Sequence, residues 1–192
     1  LRAANALAPA GLPLCPGSSW PVCYLLNADA VESMTPVDVQ RVLSGGVILD
    51  GGAVAKLQAR GFAAVTQVTA TPRPPDVGEA FTDDELNRGR VGYVWQPAAA
   101  AADTFALHPS NEAARVLGRY QRPDGTTAEA ASVLFETPQG GRIAAFGFDG
   151  FGAELSAARR RQLLLAADWV AQNRLPVLVE TVSQAAVIPR VT

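Results

Sequence analysis

The sequence predicts one α/β domain over residues 1–192: a parallel sheet flanked by helices, with an antiparallel β section inserted at 71–135. Three observations predict it. Residues 35–68 alternate helical and strand patterns at the spacing of α/β units. Residues 71–135 lose that spacing and break into short apolar runs between Pro and Gly turns. A long amphipathic helical pattern then occupies residues 155–173.

The elements follow in order. "GLPL" and "PVCYLLN" are apolar runs that suit buried parallel strands. In "TPVDVQRVLS", Thr35 is a good N-cap, Pro36 suits the first helical position, and Asp38 stands three residues after the cap. Val39, Val42 and Leu43 form one apolar stripe, and Gly45-Gly46 end the helix. "VILD" is a strand, Gly51-Gly52 a turn, and "AVAKLQARG" a helix that stops at Gly61. "AAVTQV" is a further strand candidate.

Residues 71–110 are rich in proline and hold several strand-like pieces. Three apolar runs then flank "RPDGTT" and "TPQGG", both strong turn signals, so residues 114–146 predict an antiparallel meander. Its last run, "RIAAFGF", is almost wholly apolar and so enters the buried sheet. In the final helix Leu163, Ala166, Ala167 and Val170 share one face, broadened by Leu155 and Trp169. Asn173 and Pro176 end it. "LPVLVET" leaves the domain or starts its last strand.

Bulk properties restrict the function. The chain is 48% hydrophobic and 18% charged, which suits a packed core and not a disordered chain. Its net charge of −2 argues against a nucleic-acid or membrane-surface partner. No apolar run reaches the roughly 18–20 residues of a membrane helix. Both termini read as interrupted elements, so the expectation is a piece of a longer chain. Cys15 and Cys23 read either as two buried thiols or as one disulfide, and the compartment stays open.

The residues able to carry chemistry are few. His108 is the single histidine, so a Ser-His-Asp or Cys-His mechanism would have to use it; it stands in the irregular stretch as a loop histidine. Cys15 has Gly17 two residues after it but Pro13 two before, and Pro16 beside it, so it does not fit a nucleophile elbow. One His and two Cys do not make a zinc site. Asp83, Asp84 and Glu85 cluster, with Thr82 and Glu85 spaced as a capping box. No phosphate-cradle motif is present, and Arg159-Arg160-Arg161 read as a solvated helix face. These residues predict no catalytic group, metal or cofactor.

Two acids are better placed. Asp50 and Asp149 each end a strand at a glycine, where an open α/β sheet lines its ligand crevice. They read either as facing acids in that crevice or as acceptors for backbone N–H groups of the turns. Trp95, with Tyr93 and Trp20, offers rings that could stack on sugars, the other reading being core packing. The crevice candidates are therefore Asp50, Asp149 and Trp95.

The order "GLPLCP", "CYLLNADAVESMTPVDVQRVLSGGVILDGGAVAKLQARGF", a β excursion, "GGRIAAFGFDGF" and "RRRQLLLAADWVAQNRLPVLVE" carries a resemblance. It resembles the class I glutamine-amidotransferase-like accessory domain of large bacterial glycoside hydrolases, and is similar to the trimerisation domain of family forty-two β-galactosidases. The resemblance implies a flavodoxin-like fold, a role in subunit assembly, and partners among the neighbouring domains of one parent chain. It does not carry amidotransferase catalysis, because the G-x-C-x-G elbow and the late His-x-Glu of those enzymes are missing. The expected function is a non-catalytic accessory or oligomerisation domain of a carbohydrate-active protein. The alternatives are a carbohydrate-binding module using exposed aromatics and a hydrolase using acids at the strand ends.

Overall fold

A computed structural model describes residues 23–73, 78–95, 104–147, 157–172, 177–182 and 186–191. The first half is built on local signals. Strand β1 (Tyr24–Leu26) leads into helix α1 (Ala28–Ser33), capped by Asn27, whose Oδ1 accepts the Ala30 N–H at 2.9 Å. Helix α2 (Pro36–Leu43) starts on the predicted signature: Thr35 and Asp38 form a reciprocal capping box, with proline in the first turn. Strand β2 (Gly46–Asp50) follows, and helix α3 (Gly51–Ala59) ends before Gly61, whose φ is +82°. "AAVTQV" is not a strand. Its first four residues form the short helix α4 (Ala63–Thr66), and Gln67 turns the chain through φ +51° into β3 (Val68–Arg73).

The rest is mostly β. Strands β4 (Gly78–Phe81) and β5 (Val94–Trp95) flank a 3-10 turn at Glu85–Asn87. Strands β6 (Thr104–Pro109), β7 (Arg115–Gln121), β8 (Thr127–Glu136) and β9 (Arg142–Phe146) come next. Helix α5 (Ala157–Val170) and a hairpin of β10 (Val177–Val182) and β11 (Ala186–Val191) complete the described chain. No helix among the described residues is long and apolar enough to cross a membrane.

The flavodoxin-like parallel sheet is corrected by the strand pairing. Strands β1–β9 form one mixed sheet with a main path β1-β2-β9-β8-β7-β4-β5, and β6 bridges β3 to β8. Only β1/β2 and β2/β9 are parallel. The other six pairings are antiparallel. The physical reason lies in the edges of β2. A strand has two hydrogen-bonding edges, and β1 and β9 take both. Strand β3 therefore cannot extend a parallel sheet beside β2 and pairs with β6 instead. Residues 71–135 supply most of the sheet and are no insertion into it.

The meander is as its turns predict, and β9 does enter the buried sheet, between β2 and β8. Alternation along β2 and β9 divides the core. Val47, Leu49, Ile143 and Ala145 pack with Val31, Val39, Val54 and Leu57 of α1, α2 and α3. Ile48, Ala144 and Phe146 pack with Leu163, Ala166, Ala167 and Val170 of α5. Both strands are thus buried on two faces, which is why their sequences are apolar runs without alternation.

Candidate functional site

Asp50 is the last residue of β2 and is 6% exposed. Its backbone is extended, and its Oδ1 accepts the Ala53 N–H at 2.7 Å, so it is the N-cap of α3. The packing beside this strand end is close. A Cβ on Gly51 would lie 2.6 Å from the Phe105 ring and 2.8 Å from the Gly147 carbonyl oxygen. A Cβ on Gly147 would overlap the Phe105 carbonyl and lie 2.6 Å from the Tyr120 hydroxyl. The Phe105 N–H donates to the Gly147 carbonyl at 2.5 Å, and the Gly147 N–H to Ala131 at 2.7 Å. Here β6 takes over from β9 on the same edge of β8, and both glycines permit the close approach.

Asp149 lies outside the described residues, as do Cys15, Trp20 and Leu155. Trp95 is on β5, in register with Glu79, at the other end of the sheet path from β1. Five strand spacings separate β2 from β5, about 24 Å along the sheet. Asp50 and Trp95 thus belong to strands five places apart in the sheet order.

The main polar cluster was not among the sequence candidates. Glu79 of β4 and Arg159 of α5 are both fully buried, and Arg159 Nη1 lies 3.2 Å from Glu79 Oε2. The Ser132 hydroxyl donates to Glu79 Oε1, and Arg159 donates to Gln162 Oε1. Gln162 passes the chain on, donating to Asn87 Oδ1 at 2.8 Å; Asn87 donates to the Leu117 carbonyl at 2.6 Å and the Thr82 carbonyl at 3.1 Å. The Arg159 guanidinium also stacks 4.5 Å from the Phe146 ring centroid. Gly118 makes room for this, because a Cβ there would overlap the Glu79 carboxylate.

Burial dominates the electrostatics of this pair. It pushes the Glu79 carboxyl above its ordinary value, although Arg159 and Ser132 pull the other way. It also pushes the Arg159 guanidinium down to about 10, against the pull of Glu79. Both shifts say that desolvation exceeds the mutual attraction, as is common for buried ion pairs. The Tyr120 hydroxyl is raised by burial and by Glu79, and it donates to the Phe105 carbonyl at 2.7 Å. Burial raises the Cys23 thiol to about 11, which leaves little thiolate at neutral pH.

Two sequence readings are corrected here. Arg159 is not on a solvated face; it is at the core with 0% exposure. The signal was present, since Arg159 precedes Leu163 by four residues on the stripe of Ala166, Ala167 and Val170. Asp84, and not Thr82, caps the 3-10 turn, accepting the Leu86 N–H at 2.9 Å. Thr82 donates to the Val116 carbonyl at 2.5 Å, and Arg115 grips Asp84 through Nε at 2.9 Å and Nη2 at 2.7 Å.

A second polar arrangement lies on the β3–β6 ladder, whose register pairs are Thr69–His108, Thr71–Ala106 and Arg73–Thr104. His108 is thus on a strand and not in a loop, with Nε2 2.9 Å from the Thr71 hydroxyl. Arg73 lies 4.9 Å from the Tyr120 ring centroid and pairs with Glu129. The buried Arg73 Nε and Thr104 Oγ1 have no hydrogen-bond partner among the described residues. Such groups each cost about 1–3 kcal/mol when left unmet. No cluster of three or more metal-ligating side chains occurs among the described residues.

These features define a mixed α/β domain with a polar cluster buried in its core. No family model and no curated protein matches the chain. Among solved structures it is similar to Cytoplasmic Protein STM1381 from Salmonella typhimurium LT2. The TM-score is 0.53 and the identity 14%, over 88% of this chain and 85% of that one. A likeness at that identity concerns the fold alone.

Proposed function

We propose that this chain is a non-catalytic assembly domain of a larger carbohydrate-active protein. The observation that carries the assembly part is the apolar rim at β5. Val91 and Tyr93, 55% and 41% exposed, stand beside this short strand at the end of the sheet path. Phe81 backs the Tyr93 ring at 5.6 Å, so the ring is held out in a fixed position. Apolar side chains set on a sheet edge are what a second chain or domain covers. The engagement of Asp50 as a helix cap speaks against the hydrolase alternative. The carbohydrate-active parent rests on the sequence resemblance alone, because the flavodoxin-like fold it implied does not hold.

The test is the mass of the protein in solution by light scattering across a hundredfold concentration range. A dimer or trimer is expected, reverting to monomer in Val91→Glu/Tyr93→Glu. A monomer at every concentration overturns the assembly reading. The exposed Tyr93 next to Trp95 also favours a second reading, glycan binding on the same rim. That reading expects saturable binding to a glycan that Trp95→Ala abolishes, and a flat titration across a glycan panel removes it.

A further inference from the structure

Building on the assembly reading, we propose that the partner at the β5 rim is a second copy of this chain, crossed antiparallel over residues 83–93 about a twofold axis. The exposed charges of this segment are sorted by sign. Asp83 and Glu85 are exposed ahead of the buried Asn87. Arg88 is exposed and Arg90 half-buried after it, and the exposed Val91 and Tyr93 follow.

In a twofold contact the same patch meets itself, so residue i touches residue j and j touches i. Two copies crossed antiparallel near Asn87 set Asp83 and Glu85 of each against Arg88 and Arg90 of the other, twice over. A ring of copies needs the two signs on separate faces, whereas one loop carries both here. Neither end is neutralised within the chain. Arg115 pairs with Asp84 and Glu85, but Asp83 brings the carboxylates to three against one guanidinium. At the other end Arg161 Nη1 donates to the Arg88 carbonyl at 3.3 Å and adds to the positive charge. Val91 and Tyr93 supply the apolar surface to be covered, and the charges set the register and exclude other partners. The loop is ordered before contact, because Asn87 donates to the Thr82 and Leu117 carbonyls and accepts from Gln162. Little ordering is then needed on pairing.

The test is a charge swap read by light scattering at low ionic strength. Wild type is compared with Asp83→Arg/Glu85→Arg and with Arg88→Glu/Arg90→Glu. Wild type is expected to be a dimer. Each reversed variant alone is expected to dissociate at least tenfold more readily, because like charges then meet in both halves. An equal mixture of the two variants is expected to dimerise as wild type does, since every reversed charge meets its opposite, and that recovery shows that both variants fold. A measurement on wild type alone stands beside it: sodium chloride is expected to weaken the dimer, because the facing charges are screened. A monomeric wild type removes the assembly reading and this pairing with it. A wild-type trimer, a dimer indifferent to both reversals, a mixture of folded variants that stays monomeric, or a dimer that salt leaves unchanged overturns the antiparallel crossing and leaves the assembly reading standing.

Discussion

Replacing Asp50 by Ala leaves the Ala53 N–H, at the start of α3, without its acceptor. A lost N-cap costs about 0.5–2 kcal/mol, and burial of this one places it at the upper end. Asp50→Asn retains a capping oxygen, so urea unfolding is expected to rank wild type, Asn, then Ala. Equal midpoints for Ala and wild type would show that the cap is idle. Gly118→Ala forces a methyl into the Glu79 carboxylate and is expected to cost about 1–3 kcal/mol. If that overlap is the cause, the penalty shrinks in a Glu79→Ala background, which a double-mutant cycle measures. At the same scale Cys23, with its thiol held near 11, is expected to resist iodoacetamide at pH 8 until the protein is unfolded. The cap at Asp50 was legible as one of two readings, because it involves four consecutive residues. The Glu79 cluster was not, because its members come from β4, β8 and α5 and from a turn between β4 and β5.

At the scale of elements, the Glu79–Arg159 pair ties α5 to the sheet. Its two halves are not equivalent. Glu79 can take up a proton when its partner is lost, whereas an arginine keeps its charge. Glu79→Met therefore strands a buried cation and is expected to cost about 3–5 kcal/mol, with Arg159→Met costing less. The double Met variant is expected to lie closer to wild type than Glu79→Met does. Thermal unfolding of the three variants checks the order. The pH dependence has a definite sign. Because the Glu79 pKa is raised in the folded state, its contribution is fully present below the ordinary value of 4.5. That contribution is lost as pH rises through the raised value. In Arg159→Met the cationic partner is gone, the pKa rises further, and the loss with rising pH is expected to be larger. A variant that loses stability on acidification through that window instead would contradict this account.

Across the whole molecule, the sheet order predicts a gradient of protection. Strands β2, β9 and β8 have neighbours on both edges and lie under helices or within the core, so their amides are expected to exchange slowest. Strand β5, two residues long at the end of the path, is expected to exchange first. Hydrogen exchange by mass spectrometry reads this directly. A β2 that exchanged as fast as β5 would contradict the sheet order.

The sequence by itself determined the features that act over a few residues. The Thr35-Pro36-Asp38 start of α2, the stop at Gly61, the strand "VILD", the turns at "RPDGTT" and "TPQGG" and the apolar stripe of α5 are all of this kind. Their physics is local: a cap, a positive φ, or a side-chain period. Only the tertiary structure decided which strands pair. Strand β2 offers two edges, and β9, arriving from far along the chain, takes the one a parallel β3 would need. It alone decided that Arg159 is buried, because a guanidinium enters the core only where a distant Glu79 and the missing side chain of Gly118 make a place for it.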